Sequence, residues 1–414
     1  MARWDFHPVL DSRRFGRTPV GFLAALAAAS LFALCALVIA VLGGPMPTLV
    51  SLVLAVIPVP LVIAGVLCLD RLEPEPRGLL ALIFGAGAGT AAVTALIANT
   101  LGTSVITTPE LDPHARLLGS TFGAAFVGAV VAESLKGAVL VGLLTFRRQE
   151  LDGAHDGVVY ASIVGLGFAL IANLHAYSQA RPGGAGALAS AFVLRGVLSP
   201  LWDPLFSSMI GVGIAYAAAR RESRGLWAVG VGWIVAVALH TLWDDSVAGG
   251  PGKIAAVYAV MLAALAVLLV AVVADRRRIV GLVNRYLPAY EQSGVVTASD
   301  VTMLGSLRGR RLARQWAGLY GGMAGTRAMA SYQLAATELV LACNRADRDL
   351  MEPTKFSLRC DNSLALMREA TAVFQRRMRG PLQPSWAGSG PSAFGPKQPP
   401  SGPLPTGSAP PAVP

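Results

Sequence analysis

The sequence predicts an all-α fold: a polytopic helical membrane bundle of about eight transmembrane helices with a small helical C-terminal region. Three observations predict it. Of 414 residues, 54% are hydrophobic and only 14% charged, with a mean hydropathy of +0.57; soluble domains carry about 25% charged residues. The apolar residues fall in runs of about 20, the length that crosses the hydrocarbon core. Inside those runs stand a few polar residues: Glu133, Lys136, Asn173, His175, Asp203 and His240. An ionisable group near the bilayer centre costs at least about 2.5 kcal/mol, and persists where it pairs, faces a bundle interior or lines a wet cavity.

In chain order the runs are 19–43, 48–68, 78–102, 120–146, 157–180, 189–219, 226–246 and 254–274. Arg13, Arg14 and Arg17 precede the first, as in a signal peptide. Its apolar stretch exceeds the about 7–15 residues of a signal-peptide core, so it reads as a retained helix. The third carries a GxxxG within Gly85–Gly89, and the fifth has Gly165 and Gly167, small residues that let helix backbones approach closely.

The sixth run is interrupted by Ser199-Pro200-Leu201-Trp202-Asp203-Pro204. Each proline removes a backbone donor and disfavours helix in the residue before it. Broken backbone at membrane depth must lie against protein or water. Asp203 stands at the break, where it is expected to cap the helix resuming at Pro204.

Basic residues cluster at the N-terminus and at Arg71–Arg77, Arg147–Arg148, Arg220–Arg224 and Arg276–Arg278, on alternate connections; 103–118 and 181–188 are poorer. The positive-inside rule then places both termini in the cytoplasm of a multi-pass plasma-membrane protein. The expected organisation is a cytoplasmic segment 1–18, a transmembrane domain 19–274, a cytoplasmic helical region 275–378, and a disordered Pro/Gly/Ser-rich tail 379–414.

In the cytoplasmic region Ala298-Ser299-Asp300 reads as a helix start. Further helices are expected at 326–347, with Leu334, Leu339 and Leu341 among its apolar positions, and at 361–378. Arg308, Arg310, Arg311, Arg314 and Arg327 suit anionic lipid headgroups. The net charge of +10 comes with no recognised nucleic-acid motif, so no nucleic-acid partner is expected. Cys35, Cys68, Cys343 and Cys360 have no CxxC spacing, which argues against a disulfide framework or a zinc knuckle.

Glu133, Asn173, Asp203 and His240 come from four consecutive runs at overlapping depth, so a converging site is permitted. Lys136 lies three residues from Glu133, on the same helical face. A desolvated glutamate suits general acid–base work. His240 and Asp244 are spaced i, i+4 and could share a metal ion; with Glu133 and Asp203 the set reaches three or four ligands. The bland alternatives are a buried ion pair, interhelical hydrogen bonds and an interfacial histidine.

The motifs resemble those of the PrsW family of intramembrane proteases, related to the CAAX-protease and bacteriocin-processing group. Ala132-Glu133-Ser134-Leu135-Lys136 stands where that family has EExxK, and Gly167-Phe168-Ala169-Leu170-Ile171-Ala172-Asn173 where it has GFxxxEN. Arg195 precedes Asp203-Pro204, where the family has a histidine, and His240-Thr241-Leu242-Trp243 matches the late H-x-x-W. Asp70–Pro76 is similar to a segment of actinobacterial-type members, and Asp156–Tyr160 and Thr297–Ala336 also resemble the family.

The resemblance implies cleavage of peptide bonds within transmembrane segments of single-pass membrane proteins, by a metallo- or glutamic-type mechanism. Carried over, Glu133 is general base or metal ligand, and His240 and Asp203 are ligands or oxyanion partners. Lys136 tunes the charge and Asn173 positions the substrate. A divalent metal such as zinc would be the cofactor. Ala132, Ala172 and Asp203 depart from the pattern, which makes an inactive scaffold or regulator that binds transmembrane segments the alternative. Intramembrane carboxylates and a broken helix also occur in transporters, but the halves show no inverted repeat.

Overall fold

The computed structural model describes residues 45–69, 75–91, 121–220 and 225–377. The expected first span, the third span beyond residue 91 and the C-terminal tail lie outside them. Among the described residues the chain is helical, with no strand. Five helical stretches are long and apolar enough to cross a membrane: Thr48–Leu69, Phe122–Phe146, Ala154–Ala218, Leu226–Val247 and Pro251–Gln292. The third of these contains the expected fifth and sixth spans. The described part of the expected third span is a shorter apolar helix, Arg77–Gly89.

The chain divides into two compact units, one of residues up to 282 with 341–358, the other of 283–340 with the residues from 359 onward. The first contains α1 (Pro45–Val56), α2 (Pro58–Leu69), α3 (Arg77–Ala86), α4 (Thr121–Phe146), α5 (Ala154–Ala180), α6 (Gly184–Phe192), α7 (Trp202–Ala218), α8 (Leu226–Ala248) and most of α9 (Pro251–Tyr286). α5 is the axis: α1, α2, α3 and α7 all pack on it, while α7 packs on α8 and α8 on α4. Residues Val158 to Ile171 of α5 are all buried.

Its glycines allow this. A Cβ at Gly165 would stand 2.5 Å from the Asp203 carbonyl oxygen, so α7 reaches α5 only because that Cβ is missing. α9 is the opposite case: Val260, Leu262, Val267, Leu269, Val270 and Val273 are exposed, an apolar face of the kind that lipid covers.

Helix ends in this unit are tied by charged side chains. The Asp156 carboxylate accepts from the backbone N–H groups of Asp152 (2.7 Å) and Gly153 (2.9 Å) at the start of α5. The Arg148 guanidinium donates to the Ala217 (3.1 Å) and Ala218 (3.2 Å) carbonyls in the last turn of α7, where carbonyls run short of intrahelical donors.

The other unit contains α10 (Ala298–Leu304), most of α11 (Leu307–Asp347) and most of α12 (Pro353–Arg377). α10 starts where the sequence places it: Thr297 Oγ1 accepts from Asp300 N, and Asp300 Oδ2 accepts from Thr297 N, a reciprocal cap. Burial raises the Asp300 carboxyl above its usual value, against the Thr297 hydrogen bonds that lower it. It also raises the Tyr332 hydroxyl, with the Asp300 carboxylate acting in the same direction.

At Gly322, with φ 60° and ψ −153°, the backbone leaves helical geometry, so α11 is two helices meeting at a kink, the second of which covers the expected 326–347. α12 begins at Pro353, a residue suited to a first helical turn. One of the arginines assigned to lipid is not available to it. Arg310 is 1% exposed and donates to the Leu304 carbonyl (2.8 Å) and the Thr337 hydroxyl (2.9 Å). Arg308, Arg311 and Arg327 remain exposed.

Candidate active site

The break in the sixth span decides where Asp203 points. A π-helical turn, Val193–Leu198, is followed by Ser199-Pro200-Leu201, and α7 starts at Trp202. The N-cap is Leu201, with no side-chain capping bond, so Asp203 does not cap the resuming helix as expected. It lies in the first turn of α7 and turns its carboxylate sideways, where Oδ1 accepts from Lys136 Nζ at 2.9 Å. Proline fits at position 204 because first-turn N–H groups need no intrahelical acceptor.

α4 brings Glu133 and Lys136 to the same place on one face, both at 0% exposure. Lys136 Nζ stands 2.6 Å from Glu133 Oε1, so one ammonium bridges two carboxylates from different helices. α8 supplies His240. Its Nδ1 lies 2.8 Å from the same Glu133 Oε1, and its Nε2 3.4 Å from Asp244 Oδ2, one turn on. A carboxylate only accepts, so Nδ1–H donates to Glu133.

Two aromatic rings hold these groups. Phe206 stacks on the imidazole at 4.9 Å with 20° between planes, and Phe168 lies under Lys136, its centroid 4.5 Å from Nζ. Glu133 Oε2 is buried without a hydrogen-bond partner.

A cavity of about 180 Å³ opens beside the cluster. Asp203, His240 and Asp244 face it, with Asn173, His175 and Arg195 on the opposing elements and Trp202 and Trp243 among its apolar walls. Glu133 and Lys136 stand behind that wall. Of the five expected site residues, four are joined in one chain of contacts, His240 to Glu133 to Lys136 to Asp203. Asn173 lines the same cavity, and among the described residues no hydrogen bond joins it to the four.

Ala132 and Ala172 also line the cavity. The sequence did not nominate Phe168, Phe206 or Arg195 for the site. Phe206 lies one turn from Asp203 and Arg195 lies in the run broken by Pro200, but neither spacing is a motif on its own.

A family model described as PrsW family intramembrane metalloprotease matches residues 75–273. By that match this stretch is similar to the PrsW family. Neither a curated protein nor a solved structure matches the chain. The PrsW match spans α3 to α9 and so takes in every residue of the cluster and its cavity.

PrsW proteins are described as metalloproteases, and the donors here suit a divalent ion in type. Glu133, Asp203 and His240 each offer a ligand atom within 4.8 Å of the others, and Glu133 Oε2 is an acceptor without a partner. Carboxylate oxygen and imidazole nitrogen are ordinary zinc ligands.

Proposed function

We propose that this protein is an intramembrane endopeptidase that cleaves transmembrane segments of single-pass membrane proteins, with His240 and Glu133 as its acid–base pair. The observation that carries this reading is the 2.8 Å contact between Glu133 Oε1 and His240 Nδ1, immediately behind a cavity that His240 itself faces. Glu133 accepts from Nδ1–H and orients the imidazole, and Asp244, 3.4 Å from Nε2, joins it in stabilising the imidazolium that forms when Nε2 takes a proton. A water in the cavity gives its proton to Nε2 as its oxygen bonds to the peptide carbonyl carbon. The same proton passes to the leaving amide nitrogen when the C–N bond breaks.

Arg195, on the cavity wall, provides positive potential for the developing oxyanion. Asn173 hydrogen-bonds the substrate backbone, which has few other partners in a membrane. In place of that acid–base route, a divalent metal such as zinc, held by Glu133, Asp203 and His240, would supply Lewis-acid polarisation of the carbonyl. The protein would reside in the plasma membrane with both termini cytoplasmic, as the alternating basic connections favour. Arg308, Arg311 and Arg327 would then attract anionic headgroups.

One observation favours a second reading, a non-cleaving scaffold or regulator that binds transmembrane segments. Ala132 and Ala172, which the motif comparison places where PrsW proteins carry glutamates, both line the cavity and contribute no charge.

Co-expression with a panel of tagged single-pass proteins separates the two. Cleavage by the wild type that disappears in Glu133→Ala establishes the peptidase. Cleavage only after Ala132→Glu with Ala172→Glu assigns the native chain to binding. Absence of cleavage by every variant removes the peptidase reading for that panel.

A further inference from the structure

The carboxylates that suit a divalent metal already have a cation. Lys136 Nζ stands 2.6 Å from Glu133 Oε1 and 2.9 Å from Asp203 Oδ1, with its side chain wholly buried and Phe168 packed against it. We propose that the Lys136 ammonium is the resident counter-cation of the Glu133–Asp203 pair, and that it sets how tightly a divalent metal binds there. The inference rests on reading this cluster as a metal-competent protease site. It adds a regulator of occupancy that is itself no ligand.

Charge balance is the reason. Glu133, Asp203 and Asp244 are the negative groups at the site; Lys136 and Arg195 are the positive ones. A divalent ion requires a neutral imidazole as ligand. Added with both basic side chains in place, it leaves excess positive charge in a low-dielectric enclosure, where like charges repel strongly. Without the ammonium, the same ion balances the three carboxylates and Arg195. Ala132 and Ala172 add no carboxylate to shift that balance.

Geometry acts in the same direction. The ammonium bridges the two carboxylates that a metal would have to bridge, and their Oε1 and Oδ1 atoms cannot close on an ion while Nζ lies between them. Lys136 therefore either moves aside on metal binding or keeps the metal weak and exchangeable.

The test is a metal titration of the full chain in lipid nanodiscs, with cobalt(II) followed by its visible absorption and zinc by competition with a chelating dye. Wild type is expected to bind weakly. Lys136→Met is expected to bind one equivalent at least about tenfold more tightly, within the about 10–100-fold by which residues around a metal's ligands shift affinity. Lys136→Arg keeps the charge and should stay at the wild-type value. Adding His240→Ala to Lys136→Met should abolish the gain.

If Lys136→Met does not fold, Lys136→Gln takes its place, because its neutral amide still donates to both carboxylates. Wild type that holds one metal as tightly as the neutral variants overturns the proposal. So does a folded neutral variant that binds no better than Lys136→Arg. The readout is metal affinity, so a protein that shows the predicted gain and cleaves nothing sustains this inference and removes the peptidase reading. Cleavage without the gain does the reverse.

Discussion

Lys136 and Arg310 are both almost wholly buried, at 0% and 1% exposure, yet their surroundings differ. Lys136 lies between two carboxylates from different helices, beside a cavity. Arg310 donates to the backbone carbonyl of Leu304 and the hydroxyl of Thr337, and its own backbone carbonyl accepts from Gln333 Nε2 at 2.9 Å. The Leu304 and Thr337 acceptors are neutral groups, and through them the guanidinium ties separate helices of its unit together. A cation between carboxylates can be exchanged for another cation. Burial alone therefore does not separate a structural charge from a functional one; the partners and the neighbouring space do.

The largest effect that would sharpen this comparison is on catalysis. His240→Ala is expected to lower the rate of substrate cleavage at least about 100-fold, the lower end of what acid–base groups contribute. Arg310→Met should leave the rate per folded molecule unchanged. Equal losses in the two variants, measured as initial rates on reconstituted protein, would erase the distinction.

Next in size is stability. Arg310→Met removes the charged donor to the buried Leu304 carbonyl and Thr337 hydroxyl, and is expected to cost about 3 kcal/mol, as for hydrogen bonds to a charged group. It should appear as lost hydrogen-exchange protection across residues 298–340. Thr337→Val removes one acceptor and should cost about 1 kcal/mol by the same measurement.

The smallest effect concerns pH. Because the folded Asp300 carboxyl titrates above its usual value of 3.8, protonation favours the folded state. Its contribution is full below 3.8 and is lost as pH rises through the folded value. Melting curves should show this unit weakening over that window. Asp300→Asn should flatten the slope; an unchanged slope would place its origin in another group.

Much of this was legible in the sequence for a physical reason: a polar residue in an apolar run needs a partner, so Glu133, Lys136, Asp203 and His240 identified one another. The prolines at 200 and 204 likewise announced the break. What the sequence did not carry was direction. Asp203 has the residue type and position of a helix cap, and only the three-dimensional course of the chain from Ser199 to Trp202 turns it toward Lys136 instead. Glu133 read as general base or metal ligand, and the sequence did not say that it stands behind His240, because depth in the bundle depends on how α4, α7 and α8 are rotated. Arg310 looked like its exposed neighbours Arg308 and Arg311. Hydrophobic periodicity around it is weak, and its partner Thr337 is 27 residues away on the far side of the Gly322 kink.

α5 is enclosed by protein along most of its length, whereas α9 presents a broad apolar face outward. Lipid is a tolerant solvent: exchanging leucine for valine or phenylalanine where acyl chains make the contact alters little. Neighbouring helices are not tolerant. A saturation mutagenesis map of this protein should therefore rise and fall every three to four residues along α9. Across α5 it should stay uniformly low, with glycine as constrained there as the largest side chain.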